Sequence, residues 1–265
     1  MTSMLAKLYA AKARVLEAEQ LREPIELLTA RALSRASERR SFHQAVETAQ
    51  GPAIIAELKR ASPSAGRIGL EFDLEALARQ YERSACDALS VLTESDHFLG
   101  DLAFLDLVRN ATTKPILRKD FLWTRYQVVQ SAAYGADALL LIVAGLTVIQ
   151  LRELLGECAR WNIDALVEVH DRAQLHDALL CGAHLIGINN RDLDTFQTDL
   201  RVTEALLNDV PSAVTSISES GFHHAGQIAA LHGRGARGFL IGEALMRSSN
   251  PPALIDEFKR CVSAQ

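Results

Sequence analysis

The chain has four cysteines, Cys86, Cys158, Cys181 and Cys261, and no two of them stand at Cys-x-x-Cys spacing. That excludes a disulfide scaffold and a zinc module and fits reduced thiols in a cytosol. There is no block of lysine and arginine, and 33 acidic against 28 basic residues leave a formal charge of −5. A nucleic-acid backbone is therefore not an expected partner. Long apolar runs are missing too. The longest, Ala138 to Ile149, is broken by Gly145 and Thr147 and falls well short of the roughly 20 residues a membrane helix needs. Residues 1–40 mix acids and bases and lack the apolar centre of a targeting signal, so a cytoplasmic protein with no membrane contact is expected.

What is present is a core-forming composition: 48% hydrophobic and 23% charged over 265 residues. Eight short apolar runs recur at the spacing of a βα unit: Ala53–Leu58, Ala88–Leu92, Pro115–Leu117, Ala138–Ile142, Ala165–Val169, His184–Ile188, Val214–Ile217 and Gly238–Ile241. Their hydrophobicity is continuous rather than alternating, which suits parallel strands covered on both faces. Helical segments lie between them, among them Asp73–Ser84, Thr124–Tyr134, Thr147–Trp161, Asp171–Cys181 and His223–His232, several opened by a capping Asp or Thr. The helix-to-strand junction repeats in degenerate form as Gly135-Ala136-Asp137, Gly182-Ala183-His184 and Gly235-Ala236-Arg237. The expected fold is α/β, a (β/α)8 TIM barrel with an N-terminal helical extension. We read residues 1–265 as a single domain, with the extension at 1–48, the barrel at 49–250 and a C-terminal helix at 251–265. A doubly wound sheet would carry a G-x-G-x-x-G fingerprint after its first strand, and none follows Leu58.

Polar residues gather at the carboxyl ends of these strands, where barrel enzymes build their sites. Glu57 and Lys59, Thr93 and Glu94, Lys119 and Asp120, Glu168, Asn189 to Arg191, Glu219 and Ser220, and Gly242 all occupy such ends. Residues two apart share a strand face, so Glu57 with Lys59, and Asn189 with Arg191, reach one mouth together if that face points inward. Lysines and carboxylates confined in one rim shift one another's proton affinity, which is how either becomes an acid or base near neutrality. The plainer reading of any one pair is a structural ion pair that braces the mouth. Glycine ends the last two strands, at Gly221 and Gly242, and lets backbone N–H groups approach an anion, the phosphate position of many barrels. The Glu243 carboxylate beside it should then point away from the phosphate.

The other conspicuous residues have plainer readings. His223, His224 and His232 bracket a helix without ligand partners, so no metal is expected. His170, on the same strand face as Glu168, reads as a strand-end residue in a structural or supporting role, Trp123 and Trp161 as helix-region packing, and Asp192 and Asp194 as turn caps. The loop Ser62–Phe72 reads as a lid, and the charged N-terminal helices as elements packed across the barrel mouth or side.

The residues then show a family resemblance. Glu57-Leu58-Lys59-Arg60-Ala61-Ser62-Pro63-Ser64, Ser90-Val91-Leu92-Thr93-Glu94, Pro115-Ile116-Leu117-Arg118-Lys119-Asp120-Phe121, Leu166-Val167-Glu168-Val169-His170, Ile188-Asn189-Asn190-Arg191-Asp192-Leu193, Ser218-Glu219-Ser220-Gly221 and Leu240-Ile241-Gly242 occur in order over residues 50–250. Together they resemble the indole-3-glycerol-phosphate synthases of tryptophan biosynthesis. That family closes the indole ring of 1-(2-carboxyphenylamino)-1-deoxyribulose 5-phosphate with loss of carbon dioxide and water.

The resemblance implies Lys119 as general acid of ring closure and Glu168 as general base of dehydration, with the division between Lys119 and Lys59 left open. It implies Lys59 holding the substrate carboxylate, Glu57 balancing the lysines, and Asn189 and Ser220 orienting hydroxyls. Arg191 and Ser62 would handle the carboxylate, Phe98 and Phe121 would wall the aromatic ring, and Gly221, Gly242 and Glu243 would cradle phosphate. It implies no cofactor and a phosphorylated small molecule as the partner, in a monomer or weak homodimer. Leu99, where the family often has Gln or Asn, Asp101 in place of Ser, Ser84-Ala85-Cys86 in place of Gly-Gly-Ala, and Gln130 in place of Glu are departures from its pattern. Two rivals remain open. A phosphoribosylanthranilate isomerase-like barrel would need a Cys/Asp acid–base pair at the strand ends, and a non-catalytic barrel would bind only a phosphorylated ligand.

Overall fold

Eight parallel strands close on themselves: β1 (Ala53–Leu58), β2 (Ala88–Leu92), β3 (Ile116–Lys119), β4 (Ala138–Ile142), β5 (Asp164–Val169), β6 (Leu185–Asn189), β7 (Thr215–Glu219) and β8 (Gly238–Ile241). Each pairs with its neighbours in sequence, and β1 also pairs with β8, which completes the barrel. The computed structural model describes residues 3–62, 66–67 and 73–262. All eight expected strands are present. Several extend one or two residues beyond their apolar runs, because polar ends such as Arg118 and Lys119 stay in the ladder opposite Val91 and Leu92.

Three helices precede the barrel: α1 (Met4–Arg22), α2 (Ile25–Ser34) and α3 (Phe42–Glu47). Seven follow strands β1 to β7 in turn: α4 (Leu74–Glu82), α5 (Phe104–Ala111), α6 (Arg125–Ala133), α7 (Val148–Arg160), α8 (Arg172–Leu180), α9 (Arg201–Leu207) and α10 (Ala225–His232). After β8 come α11 (Glu243–Arg247) and α12 (Pro251–Arg260). The expected caps operate. Asp73 and Asp171 accept N–H bonds from the first turns of α4 and α8, and Thr124 and Thr147 form reciprocal capping boxes with Gln127 and Gln150.

Strand alternation divides the apolar residues into two sets. Ile54, Leu89, Leu139, Val167 and Phe239 point out and pack under the helices. Ile55, Leu117, Leu140, Leu166, Leu185, Ile217 and Leu240 point in and fill the barrel. The extension covers three places. Phe42 and Val46 of α3 join the interior cluster, α2 packs on α6, and Leu5 and Leu8 of α1 seal the same interior cluster where α1 borders the mouth. No helix among the described residues is long and apolar enough to cross a membrane.

Candidate active site

Aliphatic side chains fill most of the interior, and at the last inward position of several strands Glu57, Lys119, Glu168, Asn189 and Glu219 stand in place of the next aliphatic layer. All but Lys119 are buried, and Lys119 nearly so. Above them opens a cavity of about 300 Å³. Its lining includes Glu57, Lys59, Phe98, Lys119, Phe121, Glu168, Asn189, Arg191, Ser220, Gly221, Gly242 and Glu243, so these sequence candidates meet in one place. The remaining candidate, Ser62, pairs by its backbone with Gly66 in a short ladder beyond β1. Its side chain lies outside the described part of the molecule, as do residues 63–65 and 68–72 of the expected lid.

Two ion-paired groups occupy the floor. Lys59 Nζ lies 2.5 Å from Glu57 Oε1, and Lys119 Nζ lies 2.7 Å from Glu219 Oε2 and 3.4 Å from Glu168 Oε2. Two glycines make room for these carboxylates. A Cβ on Gly242 would overlap the Glu57 carboxylate and crowd Lys59, and one on Gly187 would overlap the Glu219 carboxylate. Three carboxylates face two ammonium groups here, so the cluster holds one surplus negative charge. Its effects are visible in the proton affinities. Burial opposes charge on Lys119, yet Glu219, Glu168 and Glu57 outweigh it and raise the ammonium above the ordinary lysine range. Burial likewise opposes charge on Glu57, but Lys59 and Lys119 hold it below the usual carboxylate range. Glu219 takes the surplus: burial, reinforced by Glu168 and Glu57 and opposed by Lys119, raises it to about 7.

The walls are held by loops whose local logic is equally plain. Glu94, at the end of β2, accepts the N–H groups of Asp96, His97 and Phe98, which fixes Phe98 at the rim. Phe121 is held by Tyr9 of α1, whose ring lies 5.5 Å from it and 5.3 Å from Trp123. Behind Phe121 a buried ionic node ties α1 to the segment carrying Lys119, with Lys12 Nζ and Arg118 Nη2 each 2.9 Å from Asp120 Oδ2. Gln130 suits this node. Its oxygen accepts from Arg118 and its nitrogen donates to Glu19, which a glutamate could not do.

The two asparagines of Ile-Asn-Asn-Arg divide their work by strand alternation. Asn189 faces the cavity, while Asn190 turns outward and its amide nitrogen donates to Ser218 Oγ and to the carbonyls of Glu219 and Ser220. After β7 the chain turns through two left-handed residues, Ser220 at φ 70° and Gly221 at φ 91°. The Glu243 carboxylate, expected to turn away, engages Arg191 at 3.6 Å and Arg247 at 3.1 Å, so cationic partners offset its charge at the cavity edge.

Three expectations need correction or completion. Asp194 is not a turn cap; its Oδ1 accepts the Met4 N–H and pins the start of α1 to the β6–α9 loop, whereas Asp192 does cap its turn through Thr195. Trp123 sits in the loop before α6, not in a helix, because Thr124 is the cap. Glu219 was visible as a strand-end residue but was not chosen as a candidate, although it makes the shortest contact to Lys119. The inward period of Thr215, Ile217 and Glu219 was the signal that would have found it. No cysteine lines the cavity, so the Cys/Asp pair of an isomerase-like site is not found there among the described residues.

The family model described as indole-3-glycerol phosphate synthase matches residues 5–258 of the chain. An indole-3-glycerol phosphate synthase of Koribacter versatilis is 46% identical over 220 residues, covering 82% of this chain and 85% of that protein. One from Desulfotalea psychrophila is 41% identical over 261 residues, covering 98% of this chain and all (100%) of its own length. Among solved structures, 3-hexulose-6-phosphate synthase from Salmonella typhimurium superposes with a TM-score of 0.64 at 10% identity, covering 80% of this chain and 98% of that one. Thiamine phosphate pyrophosphorylase from Pyrococcus furiosus gives 0.58 at 15% identity, covering 81% and 96%. At such identities the structural likeness speaks for the barrel alone.

Proposed function

The chain belongs to the indole-3-glycerol phosphate synthase family, and we propose that its carboxy-lyase reaction runs through the ion-paired cluster at the barrel mouth. The reaction converts 1-(2-carboxyphenylamino)-1-deoxyribulose 5-phosphate to indole-3-glycerol phosphate, carbon dioxide and water. Its proton balance defines what the site must do. The ketose oxygen gains a proton as the aromatic carbon bearing the carboxylate attacks. Carbon dioxide then leaves and returns its electron pair to the ring. Finally the hydroxyl leaves as water on a second proton, while the neighbouring methylene carbon gives one up. Two protons are donated, one is withdrawn, and solvent supplies the difference.

Lys119 gives the first proton, since its flanking carboxylates keep it charged at neutral pH and hold it at the cavity floor. Lys59 draws in the substrate carboxylate together with Arg191 and Ser62, and assists as the second acid. Glu57 offsets the lysines and stabilises the iminium formed during ring closure. Glu168 withdraws the proton during dehydration. Phe98 and Phe121 flank the aromatic ring, and Asn189 and Ser220 orient the hydroxyls. Backbone N–H groups around Gly221, Gly242 and Glu243 receive the phosphate. The expected cytoplasmic setting and monomer or weak homodimer belong to the same proposal; the free thiols of all four cysteines support the first.

The observation that carries this reading is Lys119 held between Glu168 and Glu219 in the cavity that Lys59, Phe98 and Phe121 also line. Purified protein should turn the substrate over, followed by indole fluorescence. Lys119→Ala should abolish turnover while a reduced substrate analogue still binds by calorimetry. An active Lys119→Ala enzyme would overturn the acid assignment.

A further inference from the structure

We propose that His170 is a positioning residue that holds the proton Glu168 withdraws, the two side chains forming a dyad built around a single shared proton. The inference rests on Glu168 being the base and goes one residue further. Glu168 lies on β5 and His170 directly follows the strand's last residue, with His170 Nε2 3.6 Å from Glu168 Oε1. These two atoms are buried, and neither has a hydrogen-bond partner. Two orphaned polar atoms facing each other are costly unless something occasionally joins them.

The imidazole's tautomer explains the gap. Gln174 Oε1 accepts the His170 backbone N–H at 3.0 Å, and Gln174 Nε2 donates to Asp171 Oδ2 at 3.0 Å, so the amide's orientation is fixed at both ends. His170 Nδ1, 3.4 Å from the same Oε1, must therefore be its N–H donor. That leaves a lone pair on Nε2 aimed at the Glu168 carboxylate, and two acceptors do not bond. One proton placed between them joins them. When Glu168 takes the proton from the substrate carbon, the C–H electron pair becomes the new ring double bond as hydroxide departs on the acid's proton. The withdrawn proton then lies between Oε1 and Nε2. Glu168 Oε2, on the other side, faces Lys119 at 3.4 Å, and the shared proton passes to solvent as the product leaves. His170 thus gives the withdrawn proton a second seat beside Glu168, without touching substrate.

Asp171, next in the chain, accepts the Gln174 amide N–H at 3.0 Å. Asp192, on the β6–α9 loop, is held below the ordinary carboxylate range chiefly by Thr195, with a smaller contribution from His170. Gln174 on α8 is neutral, and Lys119 lies beyond Glu168.

The test compares His170→Asn, which keeps a donor near the Nδ1 position, with His170→Gln, which places an amide near Nε2; neither side chain titrates. Neither replacement can share a proton with Glu168, so the acid limb of the kcat/KM profile should lie at lower pH in both variants than in wild type. At neutral pH kcat should drop about tenfold, with KM within twofold and the thermal midpoint of whichever variant folds close to wild type. An acid limb unmoved in either folded variant would overturn the dyad. Glu168→Gln separates the two readings. If it is inactive while the His170 variants keep wild-type profiles, the base assignment stands and the dyad falls; if it stays active, both fall.

Discussion

Lys119 and Glu219 meet at 2.7 Å on the floor of the barrel mouth, although they stand 100 positions apart in the chain. The contact joins the third strand to the seventh across the barrel, so it depends on closure and not on any local motif. It has two consequences for pH. Glu219 is one of the charges that raise the Lys119 ammonium, and burial and its acidic neighbours in turn raise Glu219 itself to about 7. Replacing Glu219 by Gln should therefore bring the alkaline limb of the kcat profile down, because Lys119 loses its nearest counter-charge. In stability the sign is opposite to that of an ordinary salt bridge. The folded state binds this proton more tightly than the unfolded chain does, so the contribution is complete below the ordinary carboxylate value of 4.5 and declines as pH rises through about 7. Glu219→Gln should flatten that decline in denaturant titrations taken from pH 5 to 8. An unchanged alkaline limb together with an unchanged slope would refute the coupling.

Gly187 tests the same contact from the opposite side. It sits on β6 directly beneath the Glu219 carboxylate, and a methyl group there also approaches Leu166 Cδ1 at 3.2 Å. Leu166 is fully buried, so the carboxylate must give way. Gly187→Ala should leave a folded barrel in which Glu219 is displaced from Lys119, with kcat lower by roughly a hundredfold, the scale of a 1 Å misplacement near the chemistry. A variant with wild-type kcat would mean that the position of Glu219 is not critical.

Much of this is legible in the sequence alone. The eight apolar runs located the eight strands because parallel strands buried on both faces carry continuous hydrophobic sequence, and the polar residues after them located the mouth. Period-two alternation placed Glu57 with Lys59, and Asn189 with Arg191, on one face, and all four line the cavity. Contacts that depend on closure were not legible. Nothing near Lys119 in sequence signals Glu219, and nothing near Lys12 signals Asp120. Gly187 reads as an ordinary strand glycine until the opposing carboxylate is known. Nor does the sequence announce that Asp194 receives the first helix and not its own turn, since that choice depends on where α1 lands.

Lys12 belongs to this hidden class. It is 2% exposed, and its ammonium lies 2.9 Å from Asp120, the residue after Lys119. Burial raises the proton affinity of Asp120, but Lys12 and Arg118 outweigh it and hold the group below the ordinary carboxylate range. The stabilisation is therefore complete above the unfolded carboxylate value and is lost as pH falls through the depressed folded one. Lys12→Met should destabilise the protein by about 2–4 kcal/mol, slightly less than a fully orphaned buried charge because Arg118 remains. It should also leave a shallower acid dependence in urea unfolding as the pH falls from about 5 towards 2. A loss below about 0.5 kcal/mol would place the pair with ordinary surface salt bridges.

Leu99 offers a stabilising change. It stands in the β2–α5 loop at φ 53°, in the left-handed region that asparagine tolerates far better than leucine. The loop is not free to relax, because the Gly100 N–H donates to the Glu94 carbonyl at 2.7 Å and the Glu94 carboxylate grips the three residues before Leu99. The strain therefore persists in the folded protein and is absent from the unfolded chain. Leu99→Asn should raise stability by about 0.5–1 kcal/mol, offset in part by the apolar area that the half-buried leucine gives up. Thermal unfolding at pH 7 reads this directly, and Leu99→Ala serves as control because it loses the same area without relieving the backbone. If the asparagine variant melts no higher than the alanine one, the backbone at this position is not strained.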